Sequence, residues 1–179
     1  MSVRDRLLDA GVSLLRDQGA SALTQPRIAA AAGVSQSHLT YYFPTRDALL
    51  LAIAEHSVDQ ELQRATADSG GHPAERLAQA ARFLPRVRMM LGLVASGDRD
   101  PAIRPAFARL ATHVREALGQ LLAHHGYTVS APQVVVVHAA LVGLAIMNLG
   151  RQDATSDADV ELGLRQLLAL LPHPERTEP

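Results

Sequence analysis

The sequence contains no cysteine and no tryptophan, and all seventeen of its Lys and Arg residues are Arg. The absence of cysteine excludes disulfide bonds, thiolate metal ligands and a cysteine nucleophile. An arginine-only set of cations favours planar, forked contacts to carboxylates or phosphates, although the base composition of a genome would explain it equally well.

Long uninterrupted apolar runs are also missing. The nearest approach, residues 134–149, is broken by His138 and Asn148, which argues against a membrane span. The first residues, MSVRDRLLDAG, carry charges too early for a signal peptide. We therefore expect a cytoplasmic protein without a membrane segment.

Charge is unevenly distributed along the chain. The formal net charge is −1, which by itself argues against nucleic-acid binding. From Gln18 to Arg46, however, there is no Asp or Glu, while Arg27 and His38 lie inside this window. The overall charge thus hides a local asymmetry.

The composition and periodicity predict an all-α fold. Ala and Leu supply most of the apolar residues, and β-branched runs are few apart from Val134–Val137. Apolar spacing, caps and Gly or Pro punctuation predict helices at about 3–18, 25–32, 36–42, 45–67, 74–82, 85–95, 101–125, 131–150 and 158–171.

The predicted helices fall into two domains. We predict an N-terminal three-helix domain over residues 1–47 and a C-terminal helical domain over residues 48–179, with the helix at 45–67 connecting them. The stretch DSGGHP, Asp68–Pro73, is the clearest break in the chain.

Two short helices joined by a turn at Gly33 have the layout of a DNA-binding helix-turn-helix. The second of them opens with small or extended hydrogen-bonding side chains, which suit the major groove. Three of the six aromatic residues follow at once: Tyr41 and Tyr42 are predicted to reach phosphate, and Phe43 to pack inward. The alternative for these side chains is a solvated helix end and a structural aromatic cluster. The predicted DNA-binding residues are Thr24, Arg27, Gln36, Ser37, His38, Thr40, Tyr41, Tyr42 and Arg46.

The region from Leu7 to Ile53 resembles the DNA-binding domain of the TetR family of transcriptional regulators. The resemblance rests on three segments, LLDAGVSLLRDQG, LTQPRIAAAAGVS and HLTYYFPTRDALL. The family often has Lys where Gln36 stands, Tyr where Thr40 stands and His where Tyr42 stands, so phosphate contact here relies on fewer charges. The matching positions are Ile28, Ala29, Ala32, Gly33, Val34, Ser35, Leu39, Tyr41, Phe43, Arg46 and Leu49.

The resemblance implies a second domain that dimerises through its last two long helices and encloses an effector pocket. Met and aromatic side chains accommodate varied apolar ligands, so they lead the pocket candidates, although ordinary core is the competing interpretation. His138 is either a hydrogen-bonded core residue or a polar anchor in the pocket. The predicted effector-binding residues are Phe83, Arg86, Met89, Met90, Leu93, Phe107, Leu110, His138 and Val142.

A dimer seam is predicted where small side chains allow helices to approach closely. In the apolar helix 131–150 one side carries mostly small residues, and the last helix offers an apolar stripe. The predicted seam residues are Val136, Ala139, Ala140, Gly143, Met147, Val160, Leu164, Leu167 and Leu171.

The sequence thus predicts a homodimeric, sequence-specific DNA-binding repressor, released from a pseudo-palindromic operator by a small apolar or amphipathic effector. One alternative is a DNA-binding factor without a small-molecule effector. Another is an all-helical enzyme, but no paired carboxylates and no nucleophile with a recognisable base support it. We expect no catalytic residues, no metal site and no cofactor.

Overall fold

The computed structural model describes residues 1–67 and 71–173, and within these ranges it is helical with no strand. This confirms the predicted all-α fold. Two short 3-10 turns, Ala20–Ala22 and Pro101–Ile103, accompany the helices. The helices are α1 Val3–Gln18, α2 Gln25–Ala31, α3 Gln36–Tyr42, α4 Arg46–Ala67, α5 Pro73–Arg82, α6 Leu84–Arg99, α7 Arg104–His124, α8 Ala131–Arg151 and α9 Ser156–Ala169.

Several helix boundaries differ from the sequence prediction by one to four residues. Helix α6 continues to Arg99 instead of stopping at Ala95, and a 3-10 turn then separates it from α7. The Asp100 carboxylate accepts from the Ala102 N–H at 2.9 Å and so caps that turn. Helix α9 begins at Ser156, whose N–H donates to Asp153 at 2.9 Å. Of the predicted break at Asp68–Pro73, residues 68–70 lie outside the described residues.

The chain divides into two compact units. One consists of Met1–Asp59 and Arg88–Thr112, and the other of the described residues of 60–87 and 113–179. This grouping differs from the division at residue 47 predicted from the sequence, because residues 48–59 and 88–112 join the N-terminal helices.

The first unit buries large aliphatic side chains from several helices. The α1 periodicity places apolar residues three and four apart, so one face of the helix is buried. The Ser2 hydroxyl and the Asp5 carboxylate form a capping box that fixes the first turn of α1. The most fully buried side chains of this unit include Leu7, Leu8, Leu15, Leu23, Ile28, Leu39, Leu49, Ile53, Leu93 and Leu110.

The second unit is built on contacts of α5 with α8 and α9 and of α8 with α9. Ion pairs border this core: Arg165 on α9 contacts Glu75 on α5 at 2.5 Å and Glu161 at 3.0 Å. Arg82 on α5 contacts Glu161 at 3.2 Å. The core itself includes Leu77, Leu118, Leu122, Val137, Val160, Leu164 and Leu168.

Candidate nucleic-acid interface and the other predicted sites

A tight turn joins α2 to α3. Gly33 has a φ of 66°, a left-handed conformation that favours glycine. Its N–H donates to the Ala30 carbonyl at 3.1 Å, and the Val34 N–H donates to the Ala29 carbonyl at 3.0 Å. These two hydrogen bonds form a Schellman motif, which ends α2, and only four residues separate α2 from α3.

The first turn of α3 is held by a side-chain cap. The Ser35 hydroxyl accepts from the His38 N–H at 3.2 Å. The Thr40 hydroxyl donates back to the Gln36 carbonyl at 3.0 Å, so it is already satisfied within the helix. Leu39 is fully buried, and this anchors one side of α3 to the unit. The predicted base-reading side chains Gln36, Ser37, His38 and Thr40 are all exposed.

The three consecutive aromatic residues differ sharply in burial. Tyr41 is 80% exposed and Tyr42 is 39% exposed, whereas Phe43 is only 4% exposed. The rings of Tyr41 and Tyr42 meet edge to face, with centroids 5.3 Å apart. The structure therefore places two phenol groups at the surface and one apolar ring in the interior, as the sequence predicted.

Three further predicted DNA-binding residues surround α3 in sequence, and all are exposed. Thr24 precedes α2 as its N-cap but makes no side-chain cap bond. Arg27 donates to the Gln18 side chain. Arg46 opens α4, and its guanidinium lies 3.9 Å from the Asp47 carboxylate.

Two residues beside this surface were missed by the sequence analysis. Gln25 Nε2 donates to the Phe43 carbonyl at 3.5 Å, which links α2 to the end of α3. The guanidinium carbon of Arg4 lies 5.8 Å from the centroid of the Phe43 ring. No local pattern signals either contact, because the partners are 18 and 39 residues apart in sequence.

The predicted effector-binding residues are divided between the two units. The Arg86 guanidinium forms an ion pair with the Glu61 carboxylate at 2.8 Å and donates to the Ala80 carbonyl at 2.9 Å. Its guanidinium carbon lies 5.8 Å from the centroid of the Phe83 ring. Phe83, Arg86, His138 and Val142 belong to the second unit, and Met89, Met90, Leu93, Phe107 and Leu110 to the first.

Burial separates these effector candidates further. Met89, Leu93 and Leu110 are buried, whereas Met90, Phe107 and His138 are half-buried. Burial lowers the pKa of His138 below its ordinary value, and the charge of Arg115 lowers it further. Val142, also predicted to bind the effector, is 45% exposed on α8.

One face of α8 is apolar and exposed. Val134, Val137, Ala145 and Asn148 point into the second unit, and the Asn148 amide donates to Asp157 at 3.1 Å. By length and composition alone, α8 is apolar enough to cross a membrane. The exposed residues of this apolar face are Val135, Val136, Ala139, Val142, Gly143, Ile146, Met147 and Gly150.

The predicted dimer-seam residues separate into exposed and buried sets. Val136, Ala139, Gly143 and Met147 are exposed on α8, and Ala140 is half-buried. Val160, Leu164 and Leu171 are buried in the core of their own unit, and Leu167 packs partly buried against it. The structure therefore corrects the assignment of the α9 stripe to the seam, because that stripe is already covered within one chain.

Residues 7–53 match the model of the bacterial regulatory proteins of the tetR family. This range contains α2, the Gly33 turn and α3, the elements that present the exposed polar face described above. The chain carries a DNA-binding domain of the TetR family. It is a DNA-binding transcriptional regulator with an all-helical fold.

Individual relatives extend the similarity beyond the matched domain. The HTH-type transcriptional regulator CymR of Pseudomonas putida is 28% identical over 167 residues, which span 86% of this chain and 82% of CymR. A TetR transcriptional regulator from Rhodococcus sp. RHA1 superimposes with a TM-score of 0.66 at 19% identity, over 95% of this chain and 98% of its own. The multidrug binding protein EbrR complexed with proflavin gives a TM-score of 0.55 at 25% identity, over 93% of this chain and 99% of EbrR.

Proposed function

We propose that this TetR-family regulator is a homodimeric repressor that leaves a pseudo-palindromic operator when a small apolar or amphipathic effector binds. In this proposal residues 1–47 bind DNA, residues 48–179 bind the effector and form the dimer, and the helix at 45–67 couples the two activities. The protein acts in the cytoplasm, without catalytic activity.

The observation that carries the proposal is the exposed face of α3. Leu39 and Phe43 anchor the helix in the unit, and the side chains from Gln36 to Tyr42 on the other faces reach solvent. Gln and His offer hydrogen-bonding groups for base edges in the major groove, and Tyr hydroxyl groups suit phosphate oxygens. No Asp or Glu occurs from residue 18 to residue 46, so no carboxylate of this segment repels the DNA backbone.

The outward face of α8 supports a homodimer. It presents exposed Val136, Val142, Ile146 and Met147 around Ala139 and Gly143, and no charged residue occurs from 131 to 150. A contiguous apolar face of this kind marks an interaction surface, and small residues let a second helix approach closely. A dimer explains this face better than a membrane does, because the opposite side of α8 is part of a helical core. Two α3 helices would then read half-sites about one DNA turn apart.

An effector is proposed because EbrR, which is similar over nearly the whole chain, binds proflavin. The second unit offers a polar group of suitable character in Arg86, which is engaged by Glu61 and lies near the Phe83 ring. Flat apolar molecules with one polar or charged end are the expected class.

DNA binding is tested by selection from a random duplex library with the purified full-length protein. We expect an enriched inverted repeat that binds at least about 10³-fold more tightly than an unrelated duplex of equal length, with affinity falling steeply as salt rises. A library that shows no enrichment, together with equal affinity for both duplexes, contradicts the proposal.

Effector binding is tested without DNA, because proflavin can also bind duplexes. Proflavin and a panel of apolar acids and amines are added to the protein, and the melting temperature is followed. A ligand at about 100 times its Kd stabilises the folded protein by about 2.7 kcal/mol, which is measurable as a higher Tm. A compound that raises the Tm and also lowers operator affinity supports the proposal. If no compound changes either, a DNA-binding factor without a small-molecule effector takes its place.

A further inference from the structure

Arg4 lies outside the matched region 7–53 and outside the helix-turn-helix, yet its guanidinium lies over the ring of Phe43, the residue that directly follows the exposed tyrosines. We propose that Arg4 is an additional DNA-phosphate contact, held in position by the ring of Phe43. This inference rests on the proposed operator binding and adds to it a contact from α1.

The backbone at Arg4 is fixed. Arg4 belongs to the first turn of α1, where the Ser2 hydroxyl accepts from the Asp5 N–H at 3.1 Å and the Asp5 carboxylate accepts from the Ser2 N–H at 3.0 Å. These bonds also lower the pKa of Asp5, because they favour its charged form. The carboxylate of Asp5, which directly follows Arg4, is therefore hydrogen-bonded in the N-terminal cap of α1.

The ring under Arg4 is fixed as well. Phe43 is buried, its N–H donates to the Leu39 carbonyl at 2.8 Å, and its carbonyl accepts from Gln25 Nε2 at 3.5 Å. At 5.8 Å from the ring centroid, the guanidinium lies within the range of cation–π attraction. A guanidinium held in this way keeps N–H donors at its planar edge, and that edge matches phosphate oxygens.

Position favours a phosphate as the partner. Phe43 directly follows Tyr41 and Tyr42, which are exposed and proposed to contact the DNA backbone. Arg4 is itself exposed and carries a positive charge to this edge of the unit. Helix α3 itself contains no Arg or Lys, so a cation from α1 would supply charge that α3 lacks.

The experiment compares Arg4→Ala with Arg16→Ala, which removes the same charge from an exposed position at the other end of α1. Affinity for the selected operator duplex and for an unrelated duplex is measured across a salt series. Each phosphate contact contributes about 0.9 to the slope of log affinity against log salt, so two Arg4 residues in a dimer should account for about 1.8. We expect Arg4→Ala to reduce the slope by about this amount on both duplexes, and Arg16→Ala to leave it unchanged.

Two further measurements separate DNA contact from a structural role. Arg4→Lys keeps the charge and should retain most of the salt slope. The melting temperature without DNA should change little in all three variants. If Arg4→Ala lowers the melting temperature while its salt slope equals that of the wild type, Arg4 is a structural residue and the inference is overturned. Wild-type protein without salt-dependent, selective DNA binding would overturn the proposed function as well.

Discussion

Gly11 on α1 packs directly against Ile53 on α4. A Cβ atom built on Gly11 would lie 2.7 Å from Ile53 Cγ1 and nearer still to Cδ1. Ile53 is fully buried, so its side chain is packed among other core atoms of this unit. The glycine therefore allows the close approach of α1 to α4 within the first unit.

Gly11→Ala should destabilise the protein. Alanine is favoured over glycine in a helix by about 1 kcal/mol, but overpacking a filled core costs about 1–3 kcal/mol. We expect a net loss in the free energy of unfolding, measured by urea denaturation. Ile53→Val removes the Cδ1 atom and should recover part of this loss in the double variant.

Gly92→Ala is the matched control for Gly11→Ala. Gly92 lies within α6, and a Cβ there would meet nothing within 4 Å. This variant should be stabilised by up to about 1 kcal/mol. Equal changes in both variants would show that helix propensity, rather than the Gly11–Ile53 contact, controls the result.

The local parts of the DNA-binding unit were predictable from sequence. The Ser35 cap, the left-handed Gly33 and the end of α3 before Pro44 depend on residues within a few positions of one another. The inward turn of Phe43 also follows from its lack of a polar group. The Arg4–Phe43 and Gly11–Ile53 contacts join residues that are far apart in the sequence, so the local pattern of apolar residues does not predict them.

The orientation of α8 and α9 was only partly predictable. An apolar stripe indicates that a face is buried but not which surface covers it, so the Val160 and Leu164 stripe was assigned to a partner rather than to the core. Helix α8 is apolar on nearly all sides, and without a polar face its rotation is undetermined. Its exposed face consequently extends to Val142.

Tyr41→Phe should weaken DNA binding about equally on all sequences. The change removes only the hydroxyl group of an 80% exposed side chain, and one hydrogen bond contributes about 0.5–1.5 kcal/mol, or roughly 2–10-fold in affinity. Binding to the selected duplex and to single-base variants is the measurement. A shift in base preference at unchanged general affinity would contradict a phosphate contact.

Gln36→Ala and His38→Ala should instead change which sequence is preferred. A good hydrogen-bonded contact to a base edge contributes about 1–3 kcal/mol of discrimination against the wrong base. Repeating the library selection with each variant should therefore relax the preference at one position of each half-site. A uniform loss across the library would reassign these side chains to the DNA backbone.

Val136→Glu should dissociate the proposed dimer. Val136 is 56% exposed on the apolar face of α8, and an unpaired carboxylate buried in a seam is strongly unfavourable. We expect a monomer by sedimentation equilibrium and a large loss of operator affinity. Val94→Glu is the matched control, because Val94 is 52% exposed on α6, away from this face in the sequence. A dimer that tolerates Val136→Glu as well as Val94→Glu would place the interface elsewhere.

Mild acid should destabilise the protein through His138. Burial, and secondly Arg115, lowers the pKa of His138 below its ordinary 6.5 in the folded chain. The unfolded chain then takes up this proton at a higher pH, so stability is lost as the pH falls below 6.5 toward the folded pKa. His125, whose pKa is lowered mainly by burial, adds a loss of the same sign.

His138→Gln should therefore remove part of this pH dependence. Urea denaturation at about pH 7.5 and about pH 5.5 should show a smaller loss in the variant than in the wild type, since the glutamine side chain does not titrate. His38→Gln, at an exposed position on α3, controls for the general effect of removing an imidazole. If His138→Gln loses as much stability on acidification as the wild type, burial of His138 does not control its protonation.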